Sequence, residues 1–140
     1  MVRLLTTLVV SAVVIAGLSD RPSIAQNCRA GCESDQIQFT PGQQLTIEII
    51  NRAPHSVQFS QMAYMNPQSL AAYGGLAVLE FGAGTRPNVD LYVWEENAEP
   101  LNITLARPAS NVLRVEVTAA PYGPGDRAIT IADDGRVLIY

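Results

Sequence analysis

Apolar and polar residues alternate with a period of two along most of the chain after residue 44. This alternation is typical of β-strands that present one face to a core and the other to solvent. The predicted core-facing residues are Leu45, Ile47 and Ile49; Val57 and Phe59; Val89, Leu91 and Val93; Leu101, Ile103 and Leu105; Leu113, Val115 and Val117; Ile129 and Ile131; Val137 and Ile139. Residues 76–81 are expected to form a further strand or a buried crossover.

Turn-forming residues separate these runs, as at Pro41-Gly42 and Glu99-Pro100. Asp134-Gly135 predicts a two-residue hairpin loop of type I′, with Asp133 and Arg136 as an opposite-charge pair beside it. Residues 67–74 interrupt the alternation and predict one short helix. Asn66 would cap that helix, Pro67 suits its first turn, and Gly74 would end it.

Seven to eight strands at this spacing predict an all-β fold. We expect a single antiparallel β-sandwich, cupredoxin-like or immunoglobulin-like, with the helix crossing one end or edge. Residues 26–140 have the length of one domain with one core. No internal repeat or second domain is indicated.

The first 25 residues have the pattern of a cleaved signal peptide. Arg3 precedes an apolar run over residues 4–18, and Ser23-Ile24-Ala25 provides a cleavage site before Gln26. The run of about 15 residues is shorter than the roughly 20 that span a bilayer, so we expect no stable membrane anchor after cleavage. The predicted location is exported: periplasm, thylakoid lumen or extracellular space.

Charge narrows the classes of partner. The net charge is −4, and removing Arg3, Arg21 and Asp20 with the leader makes it −5. An acidic surface argues against binding to nucleic acid or anionic membranes. The chain contains no lysine, which excludes Schiff-base catalysis.

Cys28 and Cys32 are the only cysteines. In an oxidising compartment the expected arrangement is a structural disulfide, with residues 29–31 forming a turn to bring the two Cα atoms close enough. The alternative is a redox or metal site, although the spacing is not Cys-x-x-Cys and no histidine is near.

The polar face of the strand beginning at Val89 is the main candidate binding site. Asp90, Tyr92 and Trp94 share that face, and aromatic rings beside carboxylates are suited to glycans or polypeptides through stacking and hydrogen bonds. Tyr64 and Tyr73 are expected as possible neighbours of this face. The alternative is that a loop, the short helix or the other sheet covers it.

A second candidate is the segment Asn51-Arg52-Ala53-Pro54-His55-Ser56-Val57-Gln58-Phe59. Between Phe39 and Phe59 the chain resembles the cupredoxins, whose copper-binding histidine often lies in an Asn…Pro-His-x-Val-x-Phe context. The resemblance implies a sandwich with His55 on the face of Val57 and Phe59. His55 is the only histidine, so a blue-copper ligand set is incomplete. A copper site of His55 with Met62 or Met65 is the alternative function.

Catalytic motifs are absent. There is no Gly-x-Ser-x-Gly elbow and no phosphate-binding glycine loop. A third candidate is an acidic group that consists of Glu80, Asp90, Glu95, Glu96 and Glu99. Glu95, Glu96 and Glu99 are expected to form a solvated turn rather than a hydrolase site. We therefore expect a protein that is not an enzyme and has no cofactor.

Across most of residues 26–140 the chain also resembles small uncharacterised exported β-sandwich proteins common in cyanobacteria. The phrases that carry this resemblance are Phe39-Thr40-Pro41-Gly42-Gln43, Ile49-Ile50-Asn51-Arg52, Gly125-Asp126-Arg127 and Asp134-Gly135-Arg136-Val137. The resemblance implies an exported location and no activity. The expected function is that of an envelope component or binding module with an unknown protein or glycan partner.

Overall fold

Two β-sheets pack face to face in a computed structural model that describes residues 31–33, 36–61, 66–82 and 88–140. The predicted all-β sandwich is confirmed, with no α-helix among the described residues. The strands are β1 (Leu45–Asn51), β2 (Val57–Ser60), β3 (Gln68–Leu70), β4 (Gly75–Phe81), β5 (Val89–Trp94), β6 (Leu101–Ala109), β7 (Val112–Ala119), β8 (Asp126–Ile131) and β9 (Val137–Ile139).

The strand order is β4-β1-β7-β6 in the first sheet, sheet I, and β3-β2-β5-β8-β9 in the second, sheet II. The neighbouring pairs are antiparallel except β1 and β7, which are parallel. The expectation of a wholly antiparallel sandwich is therefore wrong for this one pair. Five strands, β2 to β6, separate β1 from β7 in the chain, and parallel neighbours require a long connection of that kind.

Alternate side chains of both sheets form one hydrophobic core. The fully buried members include Ile47, Ile49, Leu91 and Val115. Their neighbours along each strand face outward, so the strands carry the period-two burial that the sequence predicts. Removing these aliphatic surfaces from water is the main favourable contribution to folding.

One side of the sandwich is closed by residues that precede β1. The Cys32 N–H donates to the Leu105 carbonyl in sheet I at 2.9 Å. Further along, the Val137 N–H in sheet II donates to the Ile37 carbonyl at 3.2 Å. Ile37 and Phe39 are both buried in the core. This segment therefore connects the two sheets at the edges formed by β6 and β9.

The helix expected at residues 67–74 is wrong. Residues 68–70 form β3 and pair with β2, with Val57 opposite Leu70. The next residues make one turn, closed by a hydrogen bond from the Gly75 N–H to the Ala71 carbonyl at 3.0 Å. Tyr73 and Gly74 adopt positive φ in that turn. Pairing with β2 outweighs the local helix signals because it buries Leu70 in the core.

The loop between β8 and β9 also differs from its prediction. The Gly135 N–H donates to the Ala132 carbonyl at 2.8 Å, and the Ala132 N–H donates to the Arg136 carbonyl at 2.9 Å. Gly135 alone in this loop has positive φ, so the turn is a three-residue loop rather than type I′. Arg136 pairs with Asp134 at 2.6 Å instead of with Asp133.

Candidate ligand-binding face

The outer face of sheet II brings the predicted site residues together. Leu91 and Val93 point into the core, so the residues that alternate with them, Asp90, Tyr92 and Trp94, lie on the opposite face and are half-buried. β5 is the central strand of the sheet, between β2 and β8. The three side chains therefore lie along the central strand of the outer surface of sheet II, which we call the aromatic face.

Strand register places the neighbours of these residues in three rows. Gln58, Trp94 and Asp126 lie side by side in one row, and Ser60, Tyr92 and Ala128 lie in the next. Asp90, Thr130 and Leu138 form the third row. The aromatic face thus combines rings with hydroxyl, amide and carboxylate groups.

Tyr140 adds a third ring to the aromatic face. Its backbone exchanges two hydrogen bonds with Ala128, at 2.9 and 3.1 Å. Tyr140 therefore extends the row that contains Tyr92, and its side chain is 68% exposed. Adjacent strands are about 4.8 Å apart, so the backbones of Tyr92 and Tyr140 are separated by about 10 Å across Ala128. The small Ala128 side chain lies between the two tyrosines.

Hydrogen bonds fix two polar groups at the border of this face. The Thr130 hydroxyl donates to Asp90 Oδ1 at 2.7 Å. The Gln58 amide donates to Glu96 Oε1 at 3.1 Å. Oriented acceptors such as Asp90 are suited to receiving hydroxyl or amide donors from a ligand.

The outer face of sheet I has a different composition. Glu48 and Arg114 lie opposite each other on β1 and β7, and Arg114 Nε is 2.8 Å from Glu48 Oε2. Arg52 and Glu116 form a second, looser pair at 4.0 Å. The described outward residues of sheet I include no aromatic ring, whereas those of sheet II include three. The outward aromatic groups of the described strands are thus concentrated on one side of the molecule.

Leu70 and Tyr73 do not cover the aromatic face. Leu70 is in the core, and Tyr73 is in the exposed turn between β3 and β4. Trp94 is therefore not buried beneath these two residues. Tyr64 lies outside the described residues.

His55 lies at one end of the sandwich and not on a strand. It precedes β2, in a bend, and its side chain is about half exposed, so the expectation that it shares the buried face of Val57 and Phe59 is wrong. His55 Nε2 is 3.3 Å from Glu99 Oε2. Within the described residues, no three His, Cys, Asp or Glu side chains converge as a metal site requires. Met62 and Met65 lie outside those residues, so the copper alternative stays a prediction.

Glu95 is a buried carboxylate that organises the loop between β5 and β6. Burial raises the pKa of its carboxyl group, but the opposing hydrogen bonds and the attraction to His55 leave the pKa below 4.5. The donors are the Asn97 N–H at 2.6 Å, the Glu99 N–H at 3.2 Å and the Asn97 amide at 3.1 Å. Glu95 therefore has a structural role in place of the solvated one expected from the sequence.

The remaining sequence predictions fall on the N-terminal part. Cys32 is buried against β6, while Cys28 lies outside the described residues, as does the expected signal peptide. The disulfide and the cleavage site stay predictions. The described residues include no helix long and apolar enough to cross a membrane.

Tyr140 is the site residue that sequence reasoning missed. A two-residue loop at Asp134-Gly135 would place Tyr140 opposite Ile129, on the core side of the sheet. The observed loop places Ile139 opposite Ile129 and Tyr140 beside Ala128. A shift of one residue exchanges the two faces of a strand, so the loop type decides where this ring lies.

Comparison with known proteins found no matching family model, no matching curated protein and no matching solved structure.

Proposed function

We propose that this protein is an exported, non-catalytic binding module that holds a glycan on the aromatic face. The observation that carries the proposal is the row of Tyr92, Ala128 and Tyr140, with Trp94 beside it on β5. Tyrosine and tryptophan provide large, rigid contact areas that are apolar on the ring and polar at one end. Such rings are suited to stacking against the faces of sugar rings.

The polar groups of the aromatic face favour a glycan over a polypeptide. Asp90 is held by the Thr130 hydroxyl, and Gln58 lies beside Trp94 in another row. This mixture of neutral and acidic groups matches the many hydroxyl groups of a saccharide. A basic polypeptide would also complement the carboxylates, so the experiment must distinguish binding of a polypeptide from binding of a glycan.

The exported location is part of the same proposal. A signal peptide over residues 1–25 and a disulfide between Cys28 and Cys32 would place the module in the periplasm, the thylakoid lumen or outside the cell. In the periplasm and outside the cell, envelope polysaccharides are available as ligands.

The test is retention of the purified protein on immobilised oligosaccharides and on immobilised basic polypeptides. The oligosaccharides are cellohexaose, chitohexaose, mannohexaose and peptidoglycan fragments. We expect saturable retention on at least one saccharide and weaker retention on the polypeptides. Retention on polypeptides alone would mean that the ligand is a protein and not a glycan. Retention on neither material would overturn the proposal.

Variants locate the contact. Tyr92→Ala and Trp94→Ala should each weaken saccharide binding by about tenfold or more, as removal of an anchoring aromatic does. Val78→Ala is the matched control, because Val78 is exposed on the outer face of sheet I. Equal binding by all three variants would exclude the aromatic face as the site.

A further inference from the structure

A cavity of about 570 Å³ lies between the two sheets at the end opposite His55. The apolar side chains that line it include Phe39, Leu45, Phe81, Val89 and Ile131. Except for the partly buried Val89, these are core residues, so the cavity is an opening into the hydrophobic core. An apolar cavity of about 150 Å³ already accommodates a benzene ring, and ligand pockets commonly measure roughly 300–1,000 Å³.

Two glycines border the open side of the cavity. Gly42 and Gly82 line it, and a Cβ atom on either would meet no described atom within 4 Å. Gly135 lies on the crowded side, where an added Cβ would collide with the Phe39 carbonyl oxygen.

The groups at the cavity mouth define the chemistry of its ligand. Gln43, Gln44 and Asn111 offer neutral amides. Asp133 is the one charged residue among the described lining residues, and it would repel an anion. Arg107 stacks on the Phe39 ring at 4.9 Å but does not itself line the cavity. A ligand with a neutral hydrogen-bonding end is thus favoured over a carboxylate.

We propose that this cavity binds a neutral aliphatic molecule with one hydrogen-bonding end, in the class of medium-chain alkanols. The hydrocarbon chain would lie among Leu45, Val89 and Ile131, where it displaces water from apolar walls. The polar end would remain at the mouth, near the amides. This site is separate from the aromatic face, because these side chains point between the sheets.

The test uses the neutral fluorescent dye N-phenyl-1-naphthylamine and its displacement by hexan-1-ol, octan-1-ol and decan-1-ol. We expect one dye per chain and tighter alkanol binding by up to about fourfold for each added methylene group. Octanoate should bind about tenfold or more weakly than octan-1-ol, because its charge must be desolvated at the mouth beside Asp133. Displacement without chain-length dependence, or no saturable binding, would overturn the proposal.

A variant that fills the cavity, together with its control, tests where the dye binds. Val89→Phe places a ring in the cavity and should weaken dye binding by about tenfold or more. Val78→Phe makes the same change on an exposed position of β4, and should leave affinity within about twofold. If the two variants bind the dye equally, the cavity is not the site. Tyr92→Ala should not change dye binding. The test of the cavity is therefore independent of the test of glycan binding.

Methyl NMR of the unmodified protein gives an answer even if Val89→Phe fails to fold. During titration with decan-1-ol, the methyl signals of Leu45, Val89 and Ile131 should shift. The methyl signals of Leu101 and Val117, towards the other end of the core, should stay in place. Shifts confined to Leu101 and Val117, or shifts spread evenly over the core, would contradict the assignment.

Discussion

The two ends of the sandwich are built in different ways. At the closed end, formed by loops 52–56, 71–74, 95–100 and 120–125, buried polar groups join one loop to the next. Asn51 donates to the carbonyls of His55, Leu70 and Ala71 and accepts from the Ala53 N–H. At the open end, formed by loops 40–44, 110–111 and 132–136, apolar side chains surround a cavity.

The closed end therefore contributes mainly to stability, and the open end provides room for a ligand. The hydrogen bonds of the buried Asn51 side chain hold backbone groups of two neighbouring loops, so the closed end has little freedom to change. The open end leaves core side chains beside empty space, which lowers their packing contribution and creates room for a ligand. Mutations of the same kind should therefore have unequal effects at the two ends.

The largest expected effect comes from a matched pair of leucines. Leu101 begins β6 at the closed end and Leu45 begins β1 at the open end, and both are buried. Leu101→Ala should lower the free energy of unfolding by about 4 kcal/mol, and Leu45→Ala by about 2 kcal/mol, because Leu45 already borders a cavity. Urea unfolding measures both. Equal losses of unfolding free energy would contradict the inferred difference in packing between the two ends.

Removing the Asn51 side chain tests the polar network of the closed end. Asn51→Ala removes one donor from each of three carbonyls and the acceptor of the Ala53 N–H, so we expect a loss of about 3 kcal/mol in the free energy of unfolding. Asn102→Ala is the control, because Asn102 is exposed on β6. A comparable loss in both variants would contradict the role given to Asn51.

Glu95 makes the closed end sensitive to acid. Its pKa in the folded protein lies below the ordinary 4.5, so its stabilisation is complete above pH 4.5 and is lost as the pH falls through the lowered folded value. Glu95→Gln should cost about 2 kcal/mol at neutral pH. The difference from wild type in urea unfolding should shrink in acid. A difference that is constant with pH would show that ionisation of Glu95 does not contribute.

The smallest effect is expected from the ion pair at the open end. Arg136 and Asp134 are within 2.6 Å, but their side chains are 60% and 44% exposed. Solvent screening makes such pairs weak. Arg136→Ala should change the free energy of unfolding by less than about 0.5 kcal/mol, as measured by the same urea titration. A loss as large as that of Glu95→Gln would mean that charged loops stabilise both ends alike.

The sequence predicts most of this fold because burial with a period of two needs only local information. Leu45, Ile47, Leu91, Val115 and Ile131 all lie in the core, as the alternation requires. Local sequence signals predict the wrong element where strand pairing determines the structure. The cap, proline and glycine of residues 66–74 favour a helix, yet β3 gains more by pairing with β2.

The candidate site was predictable in part for the same reason. Asp90, Tyr92 and Trp94 share a face because they lie on one strand. The addition of Tyr140 depends on the register of a neighbouring hairpin, which one residue in the loop changes. The cavity depends on Phe39 and Phe81, which are distant in the chain and carry no shared motif.

The most direct test of the proposed function is the fluorescence of Trp94 during titration with an oligosaccharide. Trp94 is the only tryptophan in the chain, so its emission reports on the aromatic face alone. The account predicts a saturable change in emission with at least one saccharide of the panel, weakened by Tyr140→Ala, and no comparable change with decan-1-ol. A saccharide that binds without altering Trp94 emission, or with undiminished affinity for Tyr140→Ala, would contradict the account.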